Sequence, residues 1–209
     1  MSLKLRFASI WLPEYILKQE IDRVATITIK CLDQLLLKYA PLKLNALHIE
    51  NLNMKGDIEK RRKIMAEAHN MRVKMLIDEM GYDEAVKVGR DALFQGGLKL
   101  GREARMRLDV DNSLQDLIRA ARVLYRVLGI EFEVENSEKE IFMMVNRCSL
   151  SKYYLPETCR ILSAADEGVV RGLNEDIEMK FILRMTDGYS KCKASLNIDK
   201  NQKFNKSGF

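Results

Sequence analysis

From Glu14 to Tyr39 the apolar positions Ile16, Leu17, Ile21, Val24, Leu32, Leu35 and Leu36 recur at intervals of three and four, which predicts a helix with one apolar face. Pro13 suits its first turn and Pro41 closes it. The looser stretch PLKLNALHIENLN reads as a linker, so residues 1–55 are expected to form an N-terminal helical arm. A second helix runs from about Gly56 to Met80, with Ile64, Ala68, Met71 and Met75 on one face, and Gly81 ends it. Its methionine stripe serves either as adaptable core or as the wall of a binding groove. Residues 83–108 continue the helical period but hold Gly89, Gly96, Gly97 and Gly101. Glycine costs up to about 1 kcal/mol inside a helix, so either a second backbone or a ligand must lie close against them. Ser113 and Asp116 then cap LQDLIRAARVLYRVLG, whose Leu114, Leu117, Ile118, Ala121, Leu124 and Leu128 face one way while Arg119, Arg122 and Arg126 form a solvated row.

After Gly129 the period changes to two. GIEFEVEN alternates strictly, NSEK turns, and EIFMMVN returns with apolar residues on both faces, so its outer face should also be covered. A helix from about Glu157 follows, and DIEMKFILR, a turn at Asp187 and Gly188, and KCKASLNI make a second hairpin. Met179, Phe181, Leu183, Cys192, Ala194 and Leu196 should face the helices. Helices followed by antiparallel strands predict an α+β fold: N-terminal helices packed on a four-stranded sheet of two hairpins with an intervening helix. The α+β domain should span 56–198, and residues 199–209 a frayed tail.

Composition narrows the function classes. With 47% hydrophobic and 31% charged residues and only 3 prolines, the chain can bury a core and is not of the disordered class. The net charge of +5 is scattered, which speaks against nucleic acid as a partner. FASIWL is cut short by Pro13 and Glu14, and charges interrupt Ile21 to Leu37, so neither a secretory core nor a membrane span is expected. This reads as a cytoplasmic chain whose four cysteines are free thiols, metal ligands or a nucleophile.

The candidate chemistry lies in RCSLSKYYLPETCRILSAADEGVVRGLN, residues 147–174. On its helix Cys159 and Asp166 share the shoulder of the apolar stripe with Ser163 between them, whereas Arg160, Glu167 and Arg171 turn toward solvent. Cys159 and Asp166 are about 10.5 Å apart along the axis, too far for a bonded nucleophile and base, so they can only line two ends of one groove. Cys148 ends one strand and Cys192 shares the helix-facing parity of Ala194, so three thiols could meet. The helix start would lower the pKa of Cys159, and apolar burial would leave it inert. Cys148, Cys159 and Cys192 could hold a soft metal, zinc or an iron–sulfur centre, with Asp166, His48, His69 or solvent as fourth ligand, though no CxxC pair is present. Cys31 belongs to the core.

The order of a cysteine, ten residues, a second cysteine, six residues, DEG, three residues, GLN and a hairpin carrying glycine and cysteine resembles the L-2-amino-thiazoline-4-carboxylic acid hydrolase-like proteins. GLKLGREA, the arginine-rich helix and GIEFEVE resemble the related small-molecule-binding domains named after a 4-vinyl reductase, which share a fold with a trafficking-complex subunit that holds an acyl chain in a tunnel. The resemblance covers about 83–198. Two departures are Ser149 after Cys148, where a turn residue is expected, and DGYSKC in place of a tighter GDxxC. It implies water attack on a cyclic amidine carbon, which opens a thiazoline toward a carbamoyl-cysteine and needs a base or metal, an acid, and a cation for the substrate carboxylate. Under it Cys148, Cys159 and Cys192 would be nucleophile or ligands, Asp166 the acid or base, and Arg160, Arg171 and Ser163 the substrate contacts. The alternative is a non-catalytic small-molecule or metal sensor with a helix-to-sheet pocket and a homodimer interface in its N-terminal helices.

Overall fold

Two pairs of glycines bring the backbones of two helices into contact at the centre of the protein. In the computed structural model, which describes residues 2–46, 53–136 and 140–198, α5 (Tyr82–Leu108) and α7 (Pro156–Leu173) pack along their length. A methyl group on Gly97 would overlap the Ala165 carbonyl, one on Gly101 the Val169 carbonyl, and one on Gly168 the Phe94 carbonyl. At Gly172 it would come within 2.5 Å of the Leu98 oxygen. A neighbouring backbone, not a ligand, therefore offsets the helix penalty of these glycines. Gly168→Ala is expected to lower stability by about 1–3 kcal/mol, read by denaturant unfolding, because neither carbonyl ladder can move aside.

The remaining helices are α1 (Leu3–Ile10), α2 (Glu14–Tyr39), α3 (Pro41–Ala46), α4 (Ile58–Met80) and α6 (Leu114–Leu128). α1 and α3 were not expected: α1 carries apolar residues on both sides and so shows no single apolar face, and α3 has only 6 residues. α1 is set by Ser2, whose Oγ accepts from the Leu5 amide at 3.1 Å and donates to the Leu108 carbonyl at 2.7 Å. α2 places Leu32 and Leu36 in one core with Val73 and Leu76 of α4 and Leu93 of α5. The stripe expected on α4 is displaced: Met71 is exposed, and the buried face consists of Met65, Ala66, Ala68, Val73 and Leu76 together with Arg62, His69 and Arg72. Polar residues on the inner face masked its phase. Arg62 caps α6, donating to the carbonyls of Val127 at 3.0 Å and Arg126 at 2.9 Å. The arginine row of α6 is likewise engaged: Arg119 pairs with buried Asp116, and Arg126 reaches the Ser9 carbonyl at 2.8 Å.

Strands β1 (Ile130–Asn136), β2 (Ile141–Cys148), β3 (Ile177–Leu183) and β4 (Cys192–Ile198) form one antiparallel sheet in the order β1-β2-β4-β3. The expected α+β architecture is present, with Phe132, Met143, Val145, Met179, Cys192, Ala194 and Leu196 buried toward α6 and α7. On the outer face of β2, Lys193 lies 3.6 Å above the Phe142 ring, which helps cover that side. The register shifts between Phe181 and Leu183. This bulge reverses strand parity just before Arg184. His48, the turn residues 137–139 and the tail 199–209 lie outside the described residues.

Candidate functional site

Between the helices and the sheet lies a cavity of about 300 Å³. Its walls are mainly aliphatic, among them Leu100, Leu124, Leu128, Val145 and Leu162, and one group of its polar residues lies where α6, α7 and the end of β3 converge. There the Asp166 carboxyl lies beside the buried Tyr125 hydroxyl, whose ring packs edge-on against Phe132 with centroids 5.4 Å apart. Burial, aided by the charge of Glu167, pushes the Asp166 carboxyl up to about 7, against the opposing pull of Tyr125 and Arg184.

Arg184 is the cation of this end. Only 8% exposed, it donates through Nε and Nη2 to Ser163 Oγ at 3.3 and 3.0 Å and lies 5.5 Å from the Phe181 ring centre. Among the described residues no carboxylate lies within ion-pair distance of it, and burial lowers its pKa. Ser163 also donates to the Arg160 carbonyl at 3.0 Å. Nearby, Glu167 is consumed structurally by Arg90 at 2.6 Å and the Phe181 amide at 3.3 Å.

Cys148, Cys159 and Cys192 each border the cavity. Burial decides their chemistry: it pushes Cys148 up to about 12 and Cys159 up to about 11, and it raises Cys192. At Cys159 burial outweighs the opposing influence of Thr186 and of the Arg184 charge. All three thiols are protonated at neutral pH and therefore poor nucleophiles. Among the described residues no three His, Cys, Asp or Glu side chains are grouped so that they could hold a metal ion.

Of the expected substrate arginines, neither lines the cavity. Arg160 pairs with Asp187 at 3.2 Å, and Arg171 is exposed beside a second groove with Arg102 and Lys180. Arg184 lines the cavity at this end instead. Its strand parity points outward, and only the bulge, invisible in the alternation, turns it in. Sequence reasoning also passed over Tyr125, although it follows Ala121 by four and Ile118 by seven on the apolar side of α6. A second polar group has three members, of which the sequence pointed only to His69, as a possible metal ligand. His69 stands between Thr28 Oγ1 and the Tyr154 hydroxyl, each at 2.8 Å, and all three residues line the cavity. Thr28 gives its proton to the Val24 carbonyl, so it accepts from Nε2–H and Tyr154 donates to Nδ1. Burial, and secondarily Arg72, depress the imidazole to about 3.

A family model described as L-2-amino-thiazoline-4-carboxylic acid hydrolase matches residues 61–195, the stretch that holds every polar group of the Asp166 end. The chain belongs to this family. The match agrees with the resemblance carried by the cysteine, DEG and GLN spacing, and it extends through α4. No curated protein matches the chain. Among solved structures, a trafficking protein particle complex subunit 3 from Naegleria fowleri, covalently bound to palmitic acid, is similar over 70% of this chain and 99% of its own, with a TM-score of 0.52 and 14% identity. At that identity the likeness shows the fold, the one the family's helices and antiparallel sheet adopt here. No helix among the described residues is long and apolar enough to cross a membrane.

Proposed function

We propose that the protein hydrolyses a small cyclic amidine in this cavity, as the family description suggests, with Asp166 as the proton-transfer group and Arg184 as the carboxylate anchor. The observation that carries this reading is a carboxyl group pushed by burial to a pKa of about 7, in the same apolar enclosure as a buried arginine with no carboxylate within ion-pair distance among the described residues. A base is most effective when its pKa lies near the working pH, and an unpaired buried guanidinium gains most from an anionic ligand. In the step, Asp166 takes a proton from water as the water oxygen bonds to the amidine carbon. A ring bond from that carbon then breaks, and the proton passes from Asp166 to the departing heteroatom. One water is consumed and a carbamoyl group is formed. The thiols, protonated by burial, form no covalent bond in this scheme and serve as wall.

A second reading is favoured by the aliphatic wall: a non-catalytic holder of an apolar molecule, as the palmitate of the trafficking subunit suggests. Turnover of L-2-amino-thiazoline-4-carboxylate by the purified chain separates the two. Ring opening with kcat/KM rising about tenfold per pH unit up to about 7 and level above it supports hydrolysis, because Asp166 must be ionised to accept the proton. Absence of turnover, with an apolar ligand retained in native mass spectrometry, supports the holder. Arg184→Met is expected to raise KM by about 10- to 100-fold with a smaller change in kcat, as loss of one charge-assisted contact predicts.

A further inference from the structure

We propose that α1 docks the protein on an anionic lipid surface, with the cavity immediately behind the docking face. The helix has apolar residues on both sides. Leu5 and Ala8 point inward, Leu5 fully buried and Ala8 lining the cavity together with Leu12. Leu3, Phe7 and Ile10, spaced by four and three, make an outward stripe, each 70–72% exposed. Trp11 at the helix end is 71% exposed, and Tyr15 follows across Pro13 at 62%. Isolated exposed apolar residues are ordinary, but five large ones within thirteen positions of the chain are not.

Charge and shape select the occupant. By helical angle Lys4 and Arg6 flank the stripe on either side, both are exposed, and the helix carries no acidic residue. The neighbouring Glu14 is paired with Lys18 at 2.8 Å. An apolar stripe between cations, ended by Trp and Tyr, matches the acyl–headgroup boundary of a bilayer with anionic lipid. A second copy of the chain would bring Lys4 and Arg6 against like charges. It would also find a ridge only about 12 Å long, short for the roughly 800 Å² that each partner of a stable dimer buries. α1 is a firm platform, tied at one end by Ser2 to Leu108 and at the other by Arg126 to the Ser9 carbonyl. Docking there would set the cavity end bordered by Leu12, Ile16 and the half-exposed Arg107 beside the lipid.

Trp11 is the only tryptophan of the chain, so it reports on the patch directly. The full chain is mixed with phosphatidylcholine vesicles, with or without roughly one third phosphatidylserine, and followed by tryptophan emission and co-sedimentation. The expected result is a blue shift and sedimentation with the anionic vesicles only, weakened at about 0.5 M salt and reduced tenfold or more both by Lys4→Glu/Arg6→Glu and by Phe7→Ser/Ile10→Ser. The far-ultraviolet dichroism of both double variants should match that of the parent chain. No shift with either vesicle overturns the proposal. So does a blue-shifted Trp11 in vesicle-free dimers that Phe7→Ser/Ile10→Ser dissociates, which would assign the stripe to a second copy.

Discussion

Asp166→Asn is expected to stabilise the protein by about 2–4 kcal/mol at pH 8 while lowering turnover of the amidine by about 10²- to 10⁴-fold. The two effects have one cause. In the folded protein burial holds the carboxyl near 7, whereas an unfolded chain releases the proton near 3.8. Between those values the folded state binds the extra proton, so the contribution of Asp166 to stability is fully present below about pH 3.8 and is lost as pH rises through about 7. Asparagine keeps an oxygen for the Tyr125 hydroxyl and places no charge in the cavity, but it cannot accept a proton from water. The stabilisation should therefore shrink as pH falls and be gone near pH 4. Chemical denaturation of both forms at pH 8, 6 and 4 checks the first effect and steady-state kinetics at pH 8 the second. A variant that is less stable at pH 8 would show that Asp166 belongs to the fold's own hydrogen-bonding, not to a strained site.

How far this site could be read from the chain depended on which rules governed each residue. Asp166, Cys159 and Ser163 lie on a regular helix, so a 100° step put them on the cavity side of α7 without coordinates. Cys192 followed from simple strand alternation. Arg184 did not, because a single bulge between Phe181 and Leu183 inverts the alternation on which the expectation rested. The ionisation of Cys159 was open for a different reason: position near a helix start and burial act in opposite directions, and sequence fixes only the first. The close approach of α5 and α7 was legible as a question, since Gly97 and Gly101 had to face something. The answer came from Gly168 and Gly172, which meet the other backbone at the matching heights. On α4 the buried His69 and Arg72 broke the apolar count that normally gives a helix its phase. Residues that make the cavity chemically distinctive were thus the ones that disguised its walls.

His69 supplies a pH response opposite to that of Asp166, and the two together predict a flat profile that either substitution should tilt. With both ring nitrogens committed to Thr28 and Tyr154, the folded imidazole stays neutral down to about pH 3, whereas an unfolded chain takes up a proton near 6.5. A depressed folded pKa gives stability that is present above about 6.5 and lost as pH falls toward 3, about 2 kcal/mol of it by pH 5. Over pH 7.5 to 5 the Asp166 carboxyl gains roughly the same amount as it recovers its proton. Parent protein is therefore expected to change stability by less than about 1 kcal/mol across this window. Asp166→Asn removes the gain and should leave the chain about 2 kcal/mol weaker at pH 5 than at pH 7.5. His69→Gln removes the loss and should leave it about 2 kcal/mol firmer at pH 5 than at pH 7.5, whatever its absolute stability. Denaturant midpoints of the three proteins at the two pH values test the sign of each slope. If His69→Gln kept the flat profile, the imidazole would be titrating in the folded protein, and its hydrogen bonds to Thr28 and Tyr154 would not be holding it neutral.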